Sequence, residues 1–330
     1  MDYIINELHI NAKAEKEYVS ALAPVVIFAY NRKIHLEQTL NSLSNNLYAK
    51  NTDVYVFSDG AGEKQNQEIQ EVRTFLHSYD PSVFKNLYII ERSENWGLGK
   101  NIINGVTDIV KKYKKVIVLE DDVITSRYYL QYMNDALILY RNHERVMEIA
   151  GFIPRFVDFH SENNAFFLKW PISWGWGTWE RSWDRFERNP EKLINTVSKE
   201  DIYTININGI EKEQWNQVLR NYNGEIYTWG IFWSVSIIRN NGVVLYSGKN
   251  MCKNIGFDGS GVNSGSINID DFPNNDIVNT PVIGFPSVIE IDAQDEMNYI
   301  KSIKKRNLTR KMVFYKSIPK RLIRKIIGRS

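Results

Sequence analysis

Residues 115–123, which read KVIVLEDDV, place a short apolar run directly before three carboxylates. The run at 116–119 is mostly β-branched and predicts a buried strand. Carrying Glu120, Asp121 and Asp122 through the middle of a buried strand would require desolvating three charges, which is strongly unfavourable. We therefore expect these acids at the carboxyl end of the strand, where ligands bind in open α/β sheets.

Three adjacent carboxylates repel one another unless a cation joins them. Hard oxygen ligands of this kind suit Mg²⁺ or Mn²⁺. The triplet therefore favours a divalent metal site, which in turn would hold a phosphate group. A surface loop with solvated acids is the alternative, because acid pairs are common after strands.

Three similar strand-and-helix patterns precede this stretch. Apolar runs at 24–29, 53–57 and 87–90 predict strands, the first of them buried, and a helical spacing of apolar residues follows each of them. Together with the run at 116–119 they form four units in about a hundred residues. Such a series predicts an α/β fold with a mostly parallel, Rossmann-like sheet and helices on both faces.

Polar residues stand at the ends of three of these strands. Asn31 and Arg32 follow the first, Asp59 follows the second, and the acids at 120–122 follow the fourth. We expect all three ends to face one nucleotide-sized crevice. No GxGxxG follows the first strand, which disfavours a dinucleotide site, and the sequence has no GxxxxGK[ST], which excludes a P-loop.

Tryptophan is concentrated in the second half of the chain. Five of its nine Trp residues fall within one short stretch: Trp170, Trp174, Trp176, Trp179 and Trp183. Such rings either pack in the core or wall a cleft for an acceptor, and both roles are compatible with the pattern. A loop rich in Gly, Ser and Asn at 254–266 is long enough to act as a lid.

Composition and charge bear on location. The single cysteine, Cys252, excludes an internal disulfide and fits a reducing compartment. The polar start of the chain lacks the pattern of a secretory signal, and the longest apolar stretch, 21–30, is too short to span a bilayer. We therefore expect a cytoplasmic protein without a transmembrane helix.

The last thirty residues differ in charge from the rest. Residues 301–330 contain twelve Lys and Arg and no Asp or Glu, whereas the other 300 residues contain 29 basic and 39 acidic ones. Basic residues interleaved with apolar ones are typical of a helix that lies on anionic lipid. RNA binding and a merely solvated helix are the alternatives. We expect peripheral attachment to the inner face of the plasma membrane and no nucleic-acid partner.

Several pieces of the chain resemble the GT-A fold of nucleotide-sugar glycosyltransferases in order and spacing. They are most similar to the N-acetylglucosaminyltransferase I type, in which Glu-Asp-Asp stands for the more common Asp-x-Asp. The segment from Trp170 through 254–266 resembles bacterial surface-polysaccharide transferases. The matching pieces are PVVIFAYNR (24–32), the strand ending at Ser58 and Asp59, NWGLGKN (95–101), VIVLEDDV (116–123), EIAGF (148–152) and FFLKWPISWGWGTW (166–179).

The resemblance implies roles for residues of the donor crevice. Asp122 would bind Mn²⁺ or Mg²⁺ directly, Asp121 would approach the ribose or the sugar, and Arg32 and Asp59 would contact the nucleotide. The remaining donor-binding positions implied by the resemblance are Ala29, Tyr30, Asn31, Trp96, Gly97, Leu98, Lys100 and Glu120.

The acceptor side departs from the family pattern at one position. The family places its general base, an Asp, just after a Trp, and here Gly230 follows Trp229. We expect Glu225 to take this role, with Asp184 and Glu180 as further candidates. The rings expected to contact the acceptor are Trp174, Trp176, Trp179 and Trp229.

The late loop also departs from the family pattern. GT-A enzymes often supply a late His to the metal, and residues 254–266 contain none. Asp258, Asn263 or water would then complete the metal shell.

Together with the resemblance, these observations predict a metal-dependent glycosyltransferase with a UDP-sugar as favoured donor and a glycan or lipid-linked glycan as acceptor. The resemblance alone implies that the transfer is inverting. A sugar-1-phosphate nucleotidyltransferase would need a Gly-rich basic loop after the first strand, which is absent. A non-catalytic glycan-binding module remains open because of Gly230. We expect a short helical lead-in at 1–22, a donor half at 23–155, an acceptor half at 156–300 and the basic tail at 301–330. Residues 270–300 are expected to be irregular.

Overall fold

The strand before the three acids lies inside an eight-stranded sheet. The computed structural model describes residues 3–5, 12–62, 66–154, 156–161, 164–259 and 276–317. The strands in this part of the chain are β1 (Tyr3–Ile5), β2 (Val25–Ala29), β3 (Asp53–Ser58), β4 (Asn86–Glu91), β5 (Lys115–Glu120), β6 (Val123–Thr125), β7 (Val146–Ala150), β8 (Phe166–Leu168), β9 (Trp176–Trp179), β10 (Val243–Tyr246), β11 (Cys252–Asn254) and β12 (Gly284–Pro286).

Helices separate most of these strands. They are α1 (Ala12–Ser20), α2 (Lys33–Ser44), α3 (Asn66–Ser78), α4 (Gly97–Tyr113), α5 (Tyr129–Leu139), α6 (Glu180–Trp183), α7 (Pro190–Thr196), α8 (Lys199–Ile205), α9 (Glu213–Tyr222), α10 (Gly230–Arg239) and α11 (Ala293–Ser317). Short 3₁₀ turns lie at Ala49–Asn51 and Pro81–Val83.

The large sheet has the strand order β4-β3-β2-β5-β9-β7-β10-β8. β4, β3, β2 and β5 are mutually parallel, and β7 is parallel to β10. β9 is antiparallel to both of its neighbours, and β8 is antiparallel to β10. The predicted α/β fold with a mostly parallel sheet is therefore confirmed. The predicted donor and acceptor halves share this one sheet, and the division between them stays a prediction.

Alternate residues of β2 enter two separate cores. Val25 and Ile27 pack with residues of α2, α3 and α5 on one face, whereas Val26 and Phe28 pack with residues of α4, α10 and α11 on the other. All five residues of β2 are buried, as expected for a parallel strand that is covered on both sides. The prediction of helices on both faces is confirmed.

The ends of the chain differ from the predictions. The lead-in includes α1 as expected, but also β1, which pairs antiparallel with β12. Residues 270–300 were expected to be irregular, yet they contain β12 and the start of α11. The pairing of β1 joins positions nearly the whole chain apart, a contact that local sequence patterns do not reveal.

Helix α11 begins before the basic tail and packs against the body. The ring of Tyr299 stacks on Trp170 with 5.0 Å between centroids, Ile303 is buried, and Arg306 pairs with Glu211 at 2.7 Å. Residues 318–330, the rest of the predicted tail, lie outside the described residues. Within the described residues, the helices are too short or too polar to cross a bilayer.

A buried carboxyl group in β7 makes hydrogen bonds to α10 and to the backbone before β9. Glu148, in β7, is fully buried. Its Oε1 accepts a hydrogen bond from the backbone N–H of Ile172 at 2.9 Å, and its Oε2 accepts one from the indole N–H of Trp233 at 2.6 Å. Burial raises the pKa of Glu148 to about 8, and the two hydrogen bonds only partly oppose this.

We predict that Glu148 makes folding stability depend on pH. Because its pKa is raised in the folded state, its favourable contribution is complete below its ordinary pKa and is lost as the pH rises towards 8. Between about pH 5 and pH 8, wild type should lose up to about 3 kcal/mol more unfolding free energy than Glu148→Gln. Urea unfolding of both proteins across this range measures the difference, and parallel pH profiles would contradict the prediction.

Candidate active site

The three predicted acids lie at the carboxyl end of β5. Glu120 is the last residue of β5, and Asp121 and Asp122 form the turn into β6, with both side chains nearly buried. β6 pairs antiparallel with β11, so that Val123 stands opposite Asn254. This small ribbon brings the late loop of the chain against the acids.

Arg32 neutralises the pair of aspartates. It follows β2, and its Nη2 contacts both Asp121 Oδ1 and Asp122 Oδ2, the latter at 2.8 Å. The other oxygen of Asp121 accepts a hydrogen bond from the backbone N–H of Tyr30 at 3.3 Å. Burial alone would lower the pKa of Arg32, but the two carboxylates together raise it. Burial and the neighbouring aspartates raise the pKa of Glu120.

Residues after β11 complete the surroundings of Asp122. The amide of Asn254 donates to Asp122 Oδ1 at 3.0 Å, and the N–H of Ile255 donates to the Asp122 carbonyl at 2.8 Å. Gly256 packs so closely that a Cβ atom there would lie 2.1 Å from Asp122 Oδ2. Asn254 and Gly256 belong to the loop predicted as a lid, but their contacts with Asp122, which is far away along the chain, were not predicted. Asp258 instead pairs with His35 of α2 at 3.1 Å, and Asn263 lies outside the described residues.

Asp59 connects β3 to the start of α4. One carboxylate oxygen accepts hydrogen bonds from the N–H groups of Gly60 and Trp96, and the other accepts one from Gly97, each at 2.9 Å. Gly97 has a φ of +72°, a backbone conformation that glycine adopts readily. In this arrangement Asp59 fixes the turn that carries the NWGLGKN motif (95–101).

Two cations flank the ring of Trp96. The Arg92 guanidinium lies 4.0 Å from the ring centroid, and the Lys100 ammonium lies 4.3 Å from it. Arg92 Nε donates to Asn101 at 3.2 Å, but its buried Nη2 has no partner among the described residues. Burial lowers the pKa of Arg92. Arg92 was not predicted as a site residue, although it directly follows β4, and Arg32 and Asp59 likewise come after the ends of their strands.

The structure thus brings the predicted donor residues to one edge of the sheet. The Tyr30 hydroxyl accepts a hydrogen bond from the Asn95 amide at 2.8 Å, and the carbonyl of Ala29 accepts one from the N–H of Asp59 at 2.9 Å. These hydrogen bonds link the ends of neighbouring strands. Leu98 is partly exposed on α4. The predicted residues at these strand ends and at the start of α4 are Ala29, Tyr30, Asn31, Arg32, Asp59, Trp96, Gly97, Leu98, Lys100, Glu120, Asp121 and Asp122.

Two of the three candidate bases lie at the other end of the sheet. Glu180 follows β9 and pairs with Lys114 at 2.8 Å, next to the first residue of β5. Asp184 ends the same short helix and lines a separate surface pocket with Lys192. Their selection as bases is therefore corrected, because β9 runs antiparallel to β5 and carries the residues that follow it away from Asp122.

Glu225 lies closer to the predicted donor residues. It is half-exposed and pairs with Arg220 at 3.2 Å. Two residues later, the ring of Tyr227 packs on Gly99 in the first turn of α4, where an added Cβ would lie 3.0 Å from the ring. The segment before α10 therefore adjoins the helix start that Asp59 holds.

Three of the four predicted acceptor tryptophans are core residues. Trp176 is fully buried and stacks on Trp229 with 5.2 Å between centroids. Trp179 is buried and donates its indole N–H to the carbonyl of Leu137 at 3.0 Å. These rings have almost no surface for an acceptor, which corrects the prediction for them. Trp174 is partly exposed and lies 5.2 Å from Phe257 in the loop that contacts Asp122.

The solved structures that resemble this chain include TarS of S. aureus and the mannosyltransferase PcManGT. TarS of S. aureus is 18% identical over 41% of this chain and 21% of TarS, with a TM-score of 0.27, so the chain spans about a fifth of the length of TarS. The mannosyltransferase PcManGT from Pyrobaculum calidifontis, solved in complex with GDP-Man and Mn²⁺, is 12% identical over 68% of this chain and 76% of that protein, with a TM-score of 0.38. The chain has no match among curated proteins.

A family model gives the clearer result. Residues 25–205, from β2 to α8, match the model of Glycosyl transferase family 2. This region contains the ends of β2, β3, β4 and β5, together with the aspartates that Arg32 joins. Because the match covers more than half of the chain, the protein belongs to glycosyl transferase family 2.

Proposed function

We propose that the protein is a divalent-metal-dependent, inverting enzyme that transfers a sugar from a nucleoside diphosphate sugar, with UDP-sugars favoured. Its acceptor would be a glycan or lipid-linked glycan in the synthesis of a bacterial surface polysaccharide. The observation that carries the proposal is the convergence of Arg32, Asp121, Asp122 and Asn254 at one strand end. The Glu-Asp-Asp triplet supports an N-acetylglucosaminyltransferase I-like subtype.

The chemistry of the acid cluster fits a hard divalent cation. Asp121 and Asp122 offer carboxylate oxygens in a nearly buried turn, and Asn254 contacts one oxygen of Asp122. Their charge requires a positive partner, and in the structure the Arg32 guanidinium fills that role. Asp122, assisted by Asp121, would hold Mn²⁺ or Mg²⁺. When bound, such a cation stabilises a departing diphosphate as a Lewis acid.

The remaining donor residues would bind and orient the nucleotide. Trp96 would offer an aromatic ring, and Arg92 and Lys100, both close to this ring, would supply positive charge for phosphate oxygens. Asp59 would keep this group in place because it holds the first turn of α4 through two N–H groups. Leu98 would add an apolar wall.

The proton of the acceptor hydroxyl needs a base. Glu225 would accept it, because this carboxylate is exposed and lies on the segment that adjoins α4. Gly230, where the family pattern has an acid, has open space around it, with no atom within 4 Å of an added Cβ. An aspartate at position 230 would therefore fit without a steric conflict at its Cβ atom.

We predict that nucleotide binding depends on a metal and on Asp122. Calorimetric titration with UDP in the presence of Mn²⁺ should show binding that EDTA abolishes. Asp122→Ala should weaken that binding by about tenfold or more, because it removes the main metal ligand. Asp258→Ala is the matched control, since this acid lies in the loop after β11, which contacts Asp122, but pairs with His35. UDP binding that is indifferent to EDTA would contradict the metal assignment, and binding of GDP alone would change the donor.

We predict that Glu225→Gln lowers turnover by about a hundredfold or more while UDP binding is unchanged, because general base catalysis contributes about this much. Turnover is measured as UDP release from the donor that binding experiments select. Glu213→Gln, on α9, is the control for an exposed acid in the same region. Adding Gly230→Asp to Glu225→Gln should restore part of the rate. Full activity of Glu225→Gln would show that the base lies elsewhere.

The basic tail would hold the enzyme at the inner face of the plasma membrane. We predict that the full chain sediments with vesicles containing about 30 mol% phosphatidylserine and much less with phosphatidylcholine alone. Removing residues 318–330 deletes five Lys and Arg and should abolish this preference, while UDP binding is retained. Equal binding to both vesicle types, or no effect of truncation, would contradict membrane attachment.

A further inference from the structure

A segment of the chain runs along the first turns of α11 in the opposite direction. Within this segment, 156–161, the Phe156 N–H donates to Ser302 Oγ at 3.3 Å, and the Asp158 carbonyl accepts a hydrogen bond from Asn298 at 2.9 Å. Closer to the start of α11, the N–H of His160 donates to Asp295 Oδ1 at 2.7 Å. We call residues 156–161 the strap. Its far end lies against the first turn of α11.

Three potential metal ligands meet where the strap reaches α11. His160, Asp292 and Asp295 each offer one ligand atom, and these atoms lie within 4.8 Å of one another. His160 Nδ1 is 3.9 Å from Asp292 Oδ1. His160 is exposed, Asp292 is half-buried and Asp295 is buried. Among the described residues, this is the one group of three such side chains.

Helix capping explains only part of this cluster. Asp292 Oδ1 accepts hydrogen bonds from the N–H groups of Gln294 at 2.9 Å and Asp295 at 3.0 Å, as at many helix starts. The His160 side chain has no part in this capping. Capping therefore accounts for the presence of Asp292 but for neither of the other two side chains.

The buried side chain of Asp295 also points to a bound cation. Its side chain is fully buried, and Oδ1 accepts hydrogen bonds from the N–H groups of His160 and Ser161. Its buried Oδ2 has no hydrogen-bond partner among the described residues. Lys169, on a neighbouring segment, pairs with Glu296 at 2.8 Å instead. A buried carboxylate oxygen without a donor is unfavourable unless a cation contacts it.

We propose that His160, Asp292 and Asp295 bind a divalent transition-metal ion of the Zn²⁺ class, which fastens the strap to α11. One imidazole nitrogen with two carboxylate oxygens suits zinc, whereas Mg²⁺ and Ca²⁺ prefer oxygen ligands alone. The site is structural and is built from elements other than those around Asp122. It stands apart from the proposed transferase function, since neither requires the other.

The test uses the full chain after metal removal, with Asp122→Asn present to eliminate the other carboxylate site. Zn²⁺ should raise the melting temperature, and calorimetry should show one bound ion per chain. Adding His160→Ala should weaken Zn²⁺ binding by about tenfold or more, because it removes the nitrogen ligand. His77→Ala, which removes an exposed histidine paired with Glu91, is the matched control and should leave binding unchanged.

Two further outcomes decide the assignment. Asp295→Asn should also lose the Zn²⁺-dependent rise in melting temperature; if this variant fails to fold, the exposed His160 alone decides. The proposal is overturned if Zn²⁺ gives no rise, or if the rise survives His160→Ala. Metal-dependent UDP binding is measured separately on the chain with Asp122 intact, so that failure of one site is not mistaken for failure of the other.

Discussion

Two neighbouring carboxylates in a nearly buried turn require a positive charge beside them. Asp121 and Asp122 obtain it from Arg32, which comes from the end of a different strand. This pairing adds an ionic contact between the ends of β2 and β5, which are already neighbours in the sheet. Asn254, the last residue of β11, and Gly256, which follows this strand, contact the same Asp122 side chain. The residues proposed to bind the donor are arranged around this charge balance.

Much of this arrangement follows from patterns that the sequence displays locally. The buried strands β2, β3 and β5 are apolar on both faces, so polar residues can follow them only where the strands leave the core. Arg32, Asp59 and the Glu-Asp-Asp triplet are therefore recognisable in the sequence as residues at the carboxyl ends of strands. Arg92 obeys the same rule after β4. β4 is the edge strand of the large sheet and is only partly buried.

What the sequence did not reveal depends on contacts between distant segments. Glu180 and Asp184 were expected near the acids because they follow the tryptophan cluster, yet β9 enters the sheet antiparallel to β5 and carries them to its opposite end. Strand direction is set by pairing, which a single strand's composition does not encode. The contacts of Asn254 and Gly256 with Asp122 were not predicted for the same reason, since only the pairing of β6 with β11 brings these residues to Asp122.

The acceptor half is held in place by its buried polar and aromatic groups. Glu148 joins β7 to Trp233 of α10 and to the backbone at Ile172, and Trp176 stacks on Trp229 at the start of that helix. These contacts fix the start of α10 relative to the sheet. Trp229 and Trp233 are buried in the core, and Gly230 has no side chain. A base supplied from this region must therefore come from the exposed segment that precedes α10, in which Glu225 is the acid nearest to the helix along the chain.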